Sequence, residues 1–127
     1  MPTDYLLIRR VSLLCLVLLV AGIFIGGAEP GAGSLFPAPW DKVVHVLAYG
    51  TMAVLAGMAF PGRALPYVVL IVASIGAADE IHQIFLPGRQ AGVDDWLADL
   101  GGSLLFVPIL MVLRRTLYDS APSELRK

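Results

Sequence analysis

Six carboxylates and two histidines occupy the ends or interiors of long apolar segments: Asp41 with His45, Asp79-Glu80 with His82, and Asp94-Asp95 with Asp99. Putting a charged side chain in hydrocarbon costs about 3 kcal/mol even on lenient insertion scales, so such groups usually face one another and mark a working site. The chemistry these residue types offer is specific. Glu80 or Asp79 suits a general acid or base, and His45 suits a proton shuttle beside them, with Asp41 and Asp95 as further carboxylates. Arg89, Lys42, Gln83, Tyr49, His82 and Asp99 supply groups for holding a polar or anionic substrate. Histidine among carboxylates also suits a divalent cation, although Asp-x-x-x-His alone is a weak signal and names no metal. Lys42 and Arg89 cannot between them neutralise six carboxylates. Some of the acids must therefore be protonated, bind a cation or face water.

Helical spacing aligns these groups. Asp41, His45 and Tyr49 recur every four residues, as do Asp79 and Gln83, and Asp95 and Asp99; His82 lies three residues from Asp79. Each segment then carries one polar stripe. At about 1.5 Å per residue, His45 lies roughly 6 Å below Asp41 and Asp99 roughly 6 Å below Asp95.

The elements that carry the stripes follow from composition. Of the 127 residues, 57% are hydrophobic and 15% charged, and the mean hydropathy is +0.79. That is far more apolar than a soluble domain of this size. Crossing about 30 Å of hydrocarbon takes roughly 20 helical residues. Segments near 11–27, 43–60, 65–86 and 96–113 meet or approach that length, which predicts an all-α membrane protein of four transmembrane helices in a single domain spanning residues 1–127. Gly/Pro-rich connections at 29–39, 61–63 and 87–89 fit the boundaries, Asp94 or Asp95 is expected to cap the fourth helix, and residues 119–127 form a short polar tail. Trp40 and Trp96 are expected to be interfacial anchors, and Gly22, Gly26, Gly27, Gly57, Gly101 and Gly102 to be sites of close helix packing. Cys15 cannot form an internal disulfide. The net charge of −1 gives no electrostatic support for a nucleic-acid partner.

Seven of the nine basic residues (Arg9, Arg10, Arg63, Arg114, Arg115, Arg126 and Lys127) fall on one side of this topology and only Lys42 and Arg89 on the other. The excess predicts cytoplasmic termini. All three acidic clusters then share the outer leaflet and can meet. A rival, in which the first helix is a cleaved signal sequence ending near Gly26-Gly27-Ala28, fits less well because its apolar core is long. Each half of the chain is a helix, a loop and a second helix that opens on Trp40-Asp41 or Asp95-Trp96, a pattern compatible with a duplicated hairpin.

The order Asp-Lys-x-x-His-x-x-x-Tyr at 41–49, Asp-Glu-x-His-Gln-x-Phe-x-Pro-Gly-Arg at 79–89 and Asp-x-x-x-Asp-x-x-Gly at 95–102 resembles the VanZ-like family of bacterial membrane proteins. The likeness covers the second to fourth helices. It carries over to Asp41, Lys42, His45, Tyr49, Asp79, Glu80, Gln83, Pro87, Arg89, Asp95 and Gly102; the family's usual last element has Asn where this chain has Asp99, which adds a potential negative charge. The namesake of the family is associated with lowered susceptibility to the glycopeptide teicoplanin. The resemblance therefore implies a multi-pass protein of the bacterial plasma membrane whose outward-facing site acts on or binds a cell-envelope lipid or cell-wall precursor. Two other readings stay open: a small proton- or cation-coupled transporter, for which a homo-oligomer would relieve the cramped size, and polar groups that only join helices.

Overall fold

In the computed structural model, residues 2–118 are described, with side chains from Asp4 onward; the polar tail expected at 119–127 lies outside the described residues. Four stretches are long and apolar enough to cross a membrane: Asp4–Gly26, Trp40–Ala59, Leu65–Ile84 and Val93–Leu117. They are built from α1 (Pro2–Ala21), which runs on through a π-helical turn at Gly22–Gly26, then α2 (Trp40–Ala59), α3 (Leu65–Ile84), α4 (Val93–Leu105) and α5 (Val107–Leu117). All described regular structure is helical, as expected of a chain whose backbone polar groups must be satisfied within each span.

The last span differs from the single helix expected at 96–113. It begins three residues earlier, at Val93, and breaks at Phe106 between α4 and α5. Pro108 explains the break: it has no N–H to give to the carbonyl four residues back, and its ring disfavours helix continuing through that turn. The ring of Phe106 is turned against Gly50 of α2, where any side chain would collide with it. The expected cap also differs. Gly92 is the N-cap of α4, and neither Asp94 nor Asp95 caps the helix with its side chain.

α2 is the central helix, packed against α1, α3, α4 and α5. Its small buried residues Ala53, Ala56 and Gly57 admit close neighbours, while Tyr49, Met52, Val72 and Leu110 fill the core. Gly102 of α4 is packed onto the backbone of Val46, and Gly57 receives Leu110. Gly22, Gly26 and Gly101 have open space where a side chain would stand, so they are not the packing sites expected of them. α1 is mostly exposed, with large apolar side chains such as Leu7, Leu14 and Leu18 facing outward, as a helix bathed in lipid would be.

Both ends of the described chain meet at one end of the bundle. Tyr5 and Tyr118 pack edge to face with centroids 4.8 Å apart, and the Tyr118 hydroxyl donates to the Met58 carbonyl at 2.5 Å. Burial pushes the Tyr118 phenol above its ordinary pKa, so it remains a donor throughout the physiological range. Arg114 closes the same end. Its guanidinium donates to the carbonyls of Gly57 (2.9 and 3.1 Å), Phe60 (3.2 Å) and Arg63 (3.0 Å), which are acceptors at or just beyond the C-terminus of α2. Arg114→Met should therefore lower stability by about 2 kcal/mol, the scale of a lost charge-assisted bond with its acceptors orphaned. Thermal unfolding in detergent checks this, and Arg115→Met is the surface control.

Candidate functional site

The other end of the bundle carries the polar stripes, and they face one another in three tiers. In the outermost tier Lys42 of α2 is surrounded by carboxylates. Its Nζ is 3.1 Å from Asp41 Oδ2 and 2.7 Å from Asp94 Oδ2, and it pairs closely with Asp95 Oδ1. One turn deeper, His45 Nδ1 lies 2.7 Å from Asp99 Oδ1. The equal depths expected for these two residues below their helix starts are what bring them together. Deepest, Tyr49 donates its hydroxyl to Asp79 Oδ2 at 3.2 Å, and Gln83 donates to the same oxygen at 3.1 Å. The imidazole and phenol rings of His45 and Tyr49 lie nearly parallel, with centroids 6.2 Å apart, as the four-residue spacing requires.

Glu80 joins from α3. Its Oε2 accepts from the backbone N–H of Gly92 at 2.7 Å, which ties the end of α3 to the turn that opens α4. Asp99 is fully buried and Glu80 is only 8% exposed, and each has one oxygen, Glu80 Oε1 and Asp99 Oδ2, that finds no hydrogen-bond partner among the described residues; Asp41 Oδ1 is a third such atom. A buried acceptor left without a donor is costly, so these atoms call for an explanation that helix packing does not supply.

One expected member stands apart. His82 turns toward α1 and packs on the ring of Phe24, with centroids 5.4 Å apart, and is half-buried there. Trp96 is not a simple interfacial anchor, because its indole N–H donates to the Ala73 carbonyl of α3 at 2.9 Å and so pins α4 against α3. Trp40 is 63% exposed, as an anchor would be.

Sequence reasoning missed three supports of the site. Gly76 makes room for the Asp99 side chain, since a Cβ there would stand 2.7 Å from Asp99 Oδ2. Its position four residues before Glu80, on the same face of α3, was the available signal. The Gly92 N–H and the Trp96 indole were not legible, because both partnerships depend on how the 85–92 connection folds back.

Part of each tier lines a cavity of about 1010 Å³ at this end of the bundle, while Glu80 and Asp99 are not among its lining residues. Lys42, His45, Tyr49, Asp79, Gln83 and Asp95 face it from one side, and Arg89 faces it from the connection after α3. Arg89 is half-buried and lies alongside Gly33 of the first connection, where an added Cβ would stand 3.2 Å from the Arg89 Cδ. It makes no ion pair among the described residues, whereas Lys42 is already shared by three carboxylates. Leu35 and Phe36 of the first connection also line the cavity and are exposed, at 69% and 50%.

Four lipid-facing helices around a polar cavity define a multi-pass helical membrane protein with a site recessed at one end. The model of the VanZ/LLP1 family matches residues 9–114, and the chain belongs to that family. The matched stretch holds every residue of the three tiers. No curated protein and no solved structure matches the chain.

Proposed function

We propose that this protein binds, and acts on, a lipid or lipid-linked cell-wall precursor at the outer face of the bacterial plasma membrane. The observation that carries the reading is an arginine with no ion pair among the described residues, facing the same cavity as Lys42, His45, Tyr49, Asp79 and Gln83, with the buried acids Glu80 and Asp99 packed next to His45 in that wall. Packing needs alone would favour apolar residues there, since interhelical hydrogen bonds in membranes contribute only about 0.6 kcal/mol each on average. The excess of basic residues at the opposite end of the bundle supports cytoplasmic termini and an outward site.

Each group has a role on this reading. Arg89 takes the anionic headgroup, because a guanidinium free of carboxylates is available for bidentate contact with phosphate. The exposed apolar side chains of Leu35 and Phe36 accompany the lipid chains. His45, which lines the cavity and is hydrogen-bonded to Asp99, is the group placed for proton transfer to a bound ligand, with the buried Glu80 close by. A change in the amount or form of such a precursor is also the simplest route from this site to lowered glycopeptide susceptibility.

The test is binding of a lipid-linked cell-wall precursor to the purified chain in nanodiscs. Arg89→Gln should weaken binding about tenfold, the scale of one charge-assisted contact, with the thermal midpoint unchanged. Equal binding by wild type and Arg89→Gln, or no preference for the precursor over a zwitterionic phospholipid, would refute the proposal.

A further inference from the structure

His45 of α2, Glu80 of α3 and Asp99 of α4 each place one potential ligand atom so that all three lie within 4.8 Å of one another. Ligand atoms on one small cation are about 3 to 4 Å apart when each bond is near 2.1 Å, so a modest inward shift of the side chains brings the three to bonding distance. The acids alone would not make a site. The independent observation is that Glu80 Oε1 and Asp99 Oδ2 are both buried acceptors with no donor, on residues more than nine-tenths buried.

The surroundings hold these groups in place as the outer partners of metal ligands do. Glu80 is oriented by the Gly92 N–H on its other oxygen, and Asp99 is seated against Gly76. His45 is fixed by its contacts with Asp99 and Tyr49. Each ligand comes from a different helix, so rigid backbone sets the geometry.

We propose that His45, Glu80 and Asp99 form a binding site for one divalent transition-metal ion, Zn²⁺ or Mn²⁺. One imidazole nitrogen with two carboxylate oxygens suits these ions. Mg²⁺ favours an all-oxygen shell rich in water, and copper(I) favours sulfur ligands that these three residues do not offer. Three protein ligands leave coordination positions for a water or a ligand oxygen, as in sites that meet a substrate. Of the three ligands His45 alone lines the cavity, so the ion would sit behind that wall and be reached past His45. Its role toward a headgroup phosphate rests on the function proposed above; the ion site itself does not.

The experiment uses the untagged, full-length chain in detergent, stripped with a chelator and titrated separately with Zn²⁺, Mn²⁺, Mg²⁺ and Ca²⁺. The readouts are metal content after desalting and the thermal midpoint. The expected result is about one Zn²⁺ or Mn²⁺ per chain with a raised midpoint, and an affinity at least tenfold weaker in Glu80→Gln, Asp99→Asn and His45→Gln. Glu29→Gln, on the exposed first connection, should bind as wild type does. Monodisperse size-exclusion profiles and unchanged helical circular dichroism establish that each variant is folded; if one is not, the other two carry the test. No retained ion, or equal affinity in wild type and all folded ligand variants, overturns the proposal. Precursor binding measured with and without chelator separates the two claims. Binding that persists in chelator, with no ion retained, removes the metal and keeps the envelope ligand; ion binding with no precursor bound does the reverse.

Discussion

Gly102→Val is expected to destabilise the bundle by about 3 kcal/mol or to prevent the protein from accumulating in the membrane. α4 lies on α2 at this residue, and a Cβ would stand 2.8 Å from the Val46 Cα and 2.9 Å from its carbonyl carbon, with the carbonyl oxygen closer still. The obstacle is backbone inside a helix, so no rotamer change relieves it. Valine would recover a few tenths of a kcal/mol of helix propensity over glycine, far less than the cost of an overpacked helix contact. Relief requires α2 and α4 to separate, which would also pull His45 from Asp99 and Lys42 from Asp95. Gly101→Val, one residue away and facing open space, is the control. Thermal unfolding in detergent decides it, and a Gly102→Val midpoint within about 2 °C of wild type would contradict the packing described.

Asp79→Leu should cost about 2 kcal/mol or more. The carboxylate accepts from both Tyr49 and Gln83, and all three residues are buried. Leucine keeps the branched outline of aspartate but is bulkier, so the change removes the acceptor without leaving a void and adds some overpacking. Two buried donors are then stranded, each at a desolvation cost of about 1 to 3 kcal/mol, and the average interhelical bond energy in membranes understates that loss because it describes pairs, not orphans. Tyr49→Phe combined with Asp79→Leu should recover part of the loss by removing one stranded donor. If the single variant is as stable as wild type, the deepest tier is not a packing network.

Asp79 and Glu80 are neighbours in sequence with different duties, and this contrast is where sequence and structure part. The apolar lengths and Gly/Pro punctuation were enough to place four spans, because the bilayer sets both helix length and the need for internal hydrogen bonding. The four-residue spacings were enough to stack Asp41, His45 and Tyr49 along α2, and the helical rise was enough to put His45 and Asp99 at equal depth. Partner choice was not legible. Whether Lys42 reaches headgroups or carboxylates, and whether His82 faces the cavity or Phe24, depends on the rotation of each helix about its own axis, which single-helix periodicity leaves open for segments that are apolar nearly all round. The break at Phe106 was legible in principle from Pro108. In a membrane span, however, proline is tolerated often enough that its position alone does not fix a break.

The most direct test of the central claim, that Glu80 and Asp99 are kept for a bound ligand and not to join helices, is the thermal midpoint of chelator-stripped wild type against Glu80→Gln and Asp99→Asn. Both substitutions preserve shape and an acceptor oxygen toward Gly92 or His45, while replacing a buried acid that has one unpartnered oxygen by a neutral amide. The account predicts midpoints equal to or above wild type, because residues held in place for binding are commonly carried at the expense of stability. A loss of several kcal/mol in each variant would make the pair structural, as expected when one member of a buried ionic network is removed, and would contradict the account.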